Sequence, residues 1–233
     1  PRLVAQARLH TLGGWLAAFP VAWREHEPDL EYWAGLVWLT GQPARARTHL
    51  LRAAAGYAAR GDATGRLRTL AHLVYLSFVD FAPDYPITRW LDELQAVSPH
   101  FDALGAEDKA QFAMTMVYAL LVGEPAHPEL PRWRERALDA LHAPIGLQLR
   151  ARVASVLGIN LLWGGLFDQL GAMHALLAPT IARQGLGDYG QLVWGLVELD
   201  ACWAEGRPAD APRTLRRLLA TAGQCGIHAL DTY

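Results

Sequence analysis

Lysine, asparagine and serine are nearly missing from this chain. Lys109 is the only lysine, Asn160 the only asparagine, and Ser77, Ser98 and Ser155 are the only serines. A phosphate-binding loop needs glycines whose N–H groups cradle phosphates and a lysine that reaches them. Lys109 stands instead in Ala106-Glu107-Asp108-Lys109, without flanking glycines, which argues against nucleotide hydrolysis. The serines lie in Leu-Ser-Phe, Val-Ser-Pro and Ala-Ser-Val, none of which forms a nucleophile elbow. Cysteine is scarce too: Cys202 and Cys225 are too few for a disulfide framework and too far apart for a zinc motif, so a reducing cytoplasm is expected. With a formal net charge of −2 and no dense basic run, the chain lacks the footprint that neutralises nucleic-acid phosphates. Its apolar runs, such as Ala71 to Val79 and Val153 to Trp163, fall well short of the roughly 20 residues that span a bilayer. No charged leader opens the chain and residue 1 is proline, so it reads as a single helical-repeat domain, residues 1–233, cut from a longer protein.

What is present is apolar and periodic. Of the 233 residues, 52% are apolar and 19% charged, enough to form an extended core. Glycines end apolar stretches at Gly41, Gly123, Gly165 and Gly206; the intervals are 82, 42 and 41 residues, and 82 is twice 41. A concealed turn is therefore expected near residue 82, where Phe81-Ala82-Pro83-Asp84 supplies turn residues. Units of about 41 residues follow, each an apolar first helix and an amphipathic second one. The expected second helices are Pro43 to Arg60, Ile87 to Val97, Leu130 to His142, Phe167 to Gln184 and Ala209 to Gln224. In Ala44-Arg45-Ala46-Arg47-Thr48-His49-Leu50 apolar and small residues recur at helical spacing while arginines occupy the other face. Leu3 to Phe19 reads as the second helix of an earlier unit, and Ile227 to Tyr233 as the start of a later one. One such pair cannot bury its apolar face alone, so an all-α solenoid of stacked antiparallel pairs is expected, its first helices lining a groove.

Catalytic and cofactor motifs are weak. Gly185-Leu186-Gly187-Asp188-Tyr189-Gly190 matches a dinucleotide fingerprint, but a helix precedes it where a strand is required, so it reads as a helix stop and restart. His26-Glu27 opens like a zinc-protease helix, yet Leu30 stands at the second histidine position. The nine histidines are scattered, which indicates surface or capping roles and no metal site. Glu198 and Asp200 are two apart on a helix and point apart. Trp38, Trp163 and Trp203, in the last turn of first helices, and Trp90 and Trp133, early in second ones, are expected to pack the core. Seven residues of one first-helix stripe, Trp33, Gln111, Thr115, Tyr118, Asn160, Trp194 and Glu198, mix aromatic faces with isolated polar groups, as a ligand groove does.

Trp33-Ala34-Gly35-Leu36 with Ala44 to Leu50, then Gly61-Asp62-Ala63-Thr64-Gly65-Arg66, then Asp80-Phe81-Ala82-Pro83 with Trp90-Leu91, resembles the tetratricopeptide-like region of large bacterial transcriptional activators of the maltose-regulator, LuxR-like type. The resemblance covers most of the chain. It implies a right-handed superhelix and a role in receiving an inducer, without the ATPase and DNA-binding modules found elsewhere in such activators.

The expected function is accordingly an effector-sensing or signal-transducing domain of a bacterial transcriptional regulator. It is expected to bind a small molecule or a protein or peptide partner in its groove and to use no cofactor. The alternative is a protein-interaction scaffold without a small-molecule effector. Neither reading is of an enzyme; neither includes direct nucleic-acid contact or a membrane, and self-association is compatible with both. The purified chain is expected neither to release phosphate from ATP nor to retain one DNA duplex over a scrambled one at physiological salt. Selective retention in a mobility-shift assay would place DNA reading within this segment.

Overall fold

The computed structural model describes residues 9–20, 23, 27–39, 41–80 and 87–225. Among these residues the chain is all-α, with eleven α-helices and no strand. They are α1 (Leu9–Ala18), α2 (Pro28–Trp38), α3 (Pro43–Ala59), α4 (Ala63–Asp80), α5 (Ile87–Val97), α6 (Ala106–Gly123), α7 (Leu130–Ala140), α8 (Leu147–Trp163), α9 (Phe167–Gln184), α10 (Asp188–Ala204) and α11 (Ala211–Cys225). Short 3-10 turns occupy Ser98–Ala103 and Pro208–Asp210. No helix among the described residues is long and apolar enough to cross a membrane.

The helices begin where local chemistry favours it. Proline stands in the first turn of α2, α3 and α7, where its missing N–H costs nothing. Acidic residues in the first turn of α2, α6, α9 and α10 complement the positive end of the helix dipole. Helix α1 runs through Gly13-Gly14 without a break. Gly165 and Gly206 follow α8 and α10 in the left-handed region, with φ of 67° and 66°, which a side chain would resist. Gly123 differs, because it is the last residue of α6. The expected turn near residue 82 and the expected helix at Ile227 to Tyr233 lie outside the described residues, as do residues 3–8 of the expected first helix.

Every helix packs on its chain neighbours, and α4 packs on α6, α6 on α8, and α8 on α10. Buried apolar side chains from Tyr32 to Val197 form one contiguous cluster, and Leu192, Leu218 and Ala222 form a smaller one between α10 and α11. Tyr75 of α4 and Met116 of α6 are buried in this core. Trp90 and Trp133 are core residues, but Trp163 and Trp203 are not: 69% and 63% of their surface is exposed. They stand at the ends of α8 and α10, where the chain turns away and no helix covers the ring. Trp38 is half-buried, with the Arg45 guanidinium over its ring at 3.9 Å.

Close approach between helices depends on small residues. A Cβ added at Gly65 would come within 2.4 Å of the Tyr57 ring. That ring is buried, and its hydroxyl donates to Asp29 Oδ1 at 2.5 Å, so it has little room to yield. Replacing a helical glycine by alanine gains up to about 1 kcal/mol of propensity, whereas overpacking costs about 1–3 kcal/mol. Gly65→Ala is therefore expected to lower the chemical-denaturation midpoint. A midpoint at or above wild type would mean that the α3–α4 contact is looser than its geometry indicates.

A polar network between the first helices

Four helices that open their pairs, α4, α6, α8 and α10, bring polar side chains together. Arg68 of α4 clasps Asp108 of α6 with two parallel hydrogen bonds, Nε to Oδ1 at 3.0 Å and Nη2 to Oδ2 at 2.7 Å. One turn on, Nδ1–H of His72 donates to the Arg68 carbonyl (3.0 Å), which leaves Nε2 unprotonated in the neutral ring. The Tyr32 ring meets His72 edge-on at 5.6 Å. Burial, reinforced by the nearby Arg152 guanidinium, holds His72 down to about 4; burial also pushes the Tyr32, Tyr75 and Tyr189 hydroxyls up. This histidine is a core residue, contrary to the surface or capping role expected of the type.

Arg152 of α8 is the centre of the network. Its Nη2 donates to Oε1 of Gln111 on α6 (2.7 Å), and its guanidinium lies 5.0 Å from the centroid of the Tyr75 ring. No carboxylate among the described residues lies within ion-pair distance of it. Gln111 is only 3% exposed, and its amide nitrogen is buried without a partner. The Tyr75 hydroxyl in turn meets the Tyr189 hydroxyl, 114 residues later, at 2.5 Å. The assembly thus holds, beside the Arg68–Asp108 pair, a second guanidinium and an unused N–H donor next to aromatic rings.

The seven residues expected to form one stripe are distributed over several places. Gln111 joins the Arg152 network. Thr115 is buried, and its hydroxyl donates to the Ala71 carbonyl at 3.0 Å, tying α6 to α4. Asn160 is buried in α8 with its carbonyl oxygen unpartnered. Trp33 is half-buried against Tyr32 at 5.1 Å, and Tyr118 is half-buried on α6. Trp194 is buried and stacks on His174 of α9 at 5.4 Å. Glu198 pairs with Arg217 of α11 and helps to line a cleft of about 310 Å3 together with His174 and Arg207. The stripe divides because residues in one phase of successive first helices meet the next first helix and not open space.

Asp200 and Glu198 face different neighbours, as their spacing implies. Asp200 approaches α8, where a Cβ on Gly158 would lie 2.7 Å from Oδ2. That oxygen has no hydrogen-bond partner, and burial pushes the carboxyl up to about 7. No three His, Cys, Asp or Glu side chains among the described residues converge to hold a metal ion. Tyr32, Arg68, His72, Tyr75, Asp108 and Arg152 were not marked by sequence motifs, and Tyr189 lay in a glycine-rich motif read only as a helix stop and restart. Spacing alone could have found two of the contacts, since Arg68 to Asp108 and Gln111 to Arg152 are 40 and 41 residues apart. No protein-family model, curated protein or solved structure matches the chain.

The two shifted acids act oppositely on stability. His72 charges at about 4 in the fold against 6.5 when exposed, so the unfolded chain binds more protons between these values. Its contribution, roughly 3 kcal/mol, is complete above 6.5 and is lost as the pH falls towards 4. Asp200 takes up its proton at about 7 in the fold against 3.8 when exposed, so its contribution is lost as the pH rises through the same range. Asp200→Asn is expected to be more stable than wild type at pH 8, with an advantage that shrinks as the pH is lowered to 4. Stability curves that stay parallel across this range would remove the shifted Asp200 from the account.

Proposed function

We propose that this chain is an effector-sensing, signal-transducing helical-repeat domain of a bacterial transcriptional regulator. In this reading its helix pairs stack as a right-handed, tetratricopeptide-like solenoid with a repeat of about 41 residues. The domain acts in the cytoplasm and binds without catalysing a reaction; its own surface does not contact nucleic acid. What carries the reading is Arg152, a guanidinium without a carboxylate partner among the described residues, beside the unpartnered amide nitrogen of Gln111. Arg152 is half-buried, so its charge is only partly hydrated, and a few placed polar groups amid apolar walls are what orient a bound small molecule. The packing of α4 on α6, α6 on α8 and α8 on α10 supports the stacked arrangement.

Signalling follows from where Arg152 sits. The Tyr75–Tyr189 contact joins α4 to the start of α10, so a ligand engaging Arg152 has different contacts when these helices are close and when they are apart. Such a difference in affinity shifts the population between the two spacings. A second reading, a scaffold for protein partners, is favoured by the exposed rings of Trp163, Phe167 and Trp203, because exposed aromatics are enriched in interfaces.

A thermal-shift screen of sugars, nucleotides and organic acids is the test. Any compound that raises the melting temperature is expected to bind Arg152→Gln and Gln111→Ala about five- to 150-fold more weakly, the cost of one lost buried hydrogen-bonding partner, and Arg217→Gln with unchanged affinity. If every stabilising compound binds Arg152→Gln as it binds wild type, the inner network is a packing feature and the scaffold reading takes precedence.

A further inference from the structure

A smaller cleft, of about 180 Å3, lies between α1, α2 and α3. Its walls follow from helical spacing. Leu30, Ala34 and Val37 share one face of α2, and Leu16 of α1 adds to the apolar side. Arg45, His49 and Arg52 share one face of α3 and form the polar side. The arginine face of α3, which a sequence reading assigns to solvent, therefore also borders a cavity.

The polar side is built around one buried carboxylate. Glu31 is 4% exposed and lies 2.6 Å from Nδ1 of His49 through Oε2. This bond fixes the imidazole and places its ring against the cleft. Arg52 touches the same carboxylate only at the limit of ion pairing, 3.8 Å, and keeps most of its donors available. Arg45 has no carboxylate partner among the described residues; it lies over the Trp38 ring. Two guanidinium groups thus face one carboxylate already occupied by His49, and the mouth of the cleft carries excess positive charge beside an apolar wall. The stacking of Arg45 on Trp38 reduces the freedom it would lose on binding.

We propose that this cleft binds a small organic acid, with its carboxylate held by Arg45 and Arg52 and its apolar body against Leu16, Ala34 and Val37. Planar guanidinium groups match a carboxylate in two-pronged geometry. The volume lies below the roughly 300 Å3 at which clefts begin to take drug-sized molecules, so the acid is compact. The site is made by α1, α2 and α3, none of which contributes Arg152, Gln111 or Tyr189, and so it stands whether or not the inner network receives an effector.

Isothermal titration of the chain with sodium benzoate and sodium hexanoate tests the assignment, with benzamide and inorganic phosphate as comparisons. At least one acid is expected to bind, with benzamide and phosphate about tenfold weaker or worse, because one lacks the charge and the other the apolar body. Arg45→Gln and Arg52→Gln are each expected to lower the affinity for the acid about tenfold, and Arg152→Gln to leave it unchanged. Both replaced arginines are exposed, and the melting temperature of each variant checks its folding. The assignment is overturned if neither acid binds at millimolar concentration, if benzamide or phosphate matches the acid, or if folded Arg45→Gln and Arg52→Gln bind it as wild type does. Loss of binding in Arg152→Gln alone would overturn it as well, by moving the acid to the inner network.

Discussion

The packing of one first helix on the next is the constraint from which the other features follow. A first helix such as α6 is buried on nearly its whole circumference, from Ala110 through Val117, so its polar residues must find partners on neighbouring helices. They do so at nearly constant separation in the chain. Arg68 reaches Asp108 across 40 residues, Arg152 reaches Gln111 across 41, and Thr115 reaches the Ala71 carbonyl across 44. These contacts satisfy polar groups and at the same time fix the register of α4, α6 and α8, since a slide of one turn would part each donor from its acceptor.

Not every buried group is satisfied, and the exceptions are informative. The Gln111 amide nitrogen, the Asn160 side-chain oxygen Oδ1 and Asp200 Oδ2 lack partners. Unpartnered buried groups destabilise a fold, and each therefore marks a place where packing has taken precedence over hydrogen bonding. Asp200 answers the problem differently, by holding its proton up to about 7. Half-buried Arg152, which donates to Gln111, cannot respond in this way, because a guanidinium keeps its charge. That asymmetry makes Arg152 the most telling residue of the inner network.

Helix positions were largely legible in the sequence. Phe167–Gln184 and Ile87–Val97 fall at the expected bounds, while α7 stops two residues before the expected His142 and α11 starts after a 3-10 turn over Pro208–Asp210. Apolar periodicity reports which face of a helix is covered, and that is why these elements could be read. It does not report what covers the face. Trp163 and Trp203 have the composition of core residues but are exposed at the ends of α8 and α10, and the spacing that put Gln111 and Thr115 in one stripe did not show that they meet Arg152 and the Ala71 carbonyl. His72 was unreadable for the same reason: its ring meets Tyr32, 40 residues before it, and feels the charge of Arg152, 80 after it.

The meeting of Tyr75 with Tyr189 has a consequence for cooperativity. Helices that touch only nearby parts of the chain can unravel from either end in steps, each losing its own neighbour contacts. A contact spanning 114 residues joins the second of the five helix pairs to the last. Opening α10 away from α4 exposes two buried phenols at once, and the stretch between them is then no longer closed on itself. The entropic cost of closing that stretch must be met again each time the contact is remade, so loss of the contact is felt at both of its ends.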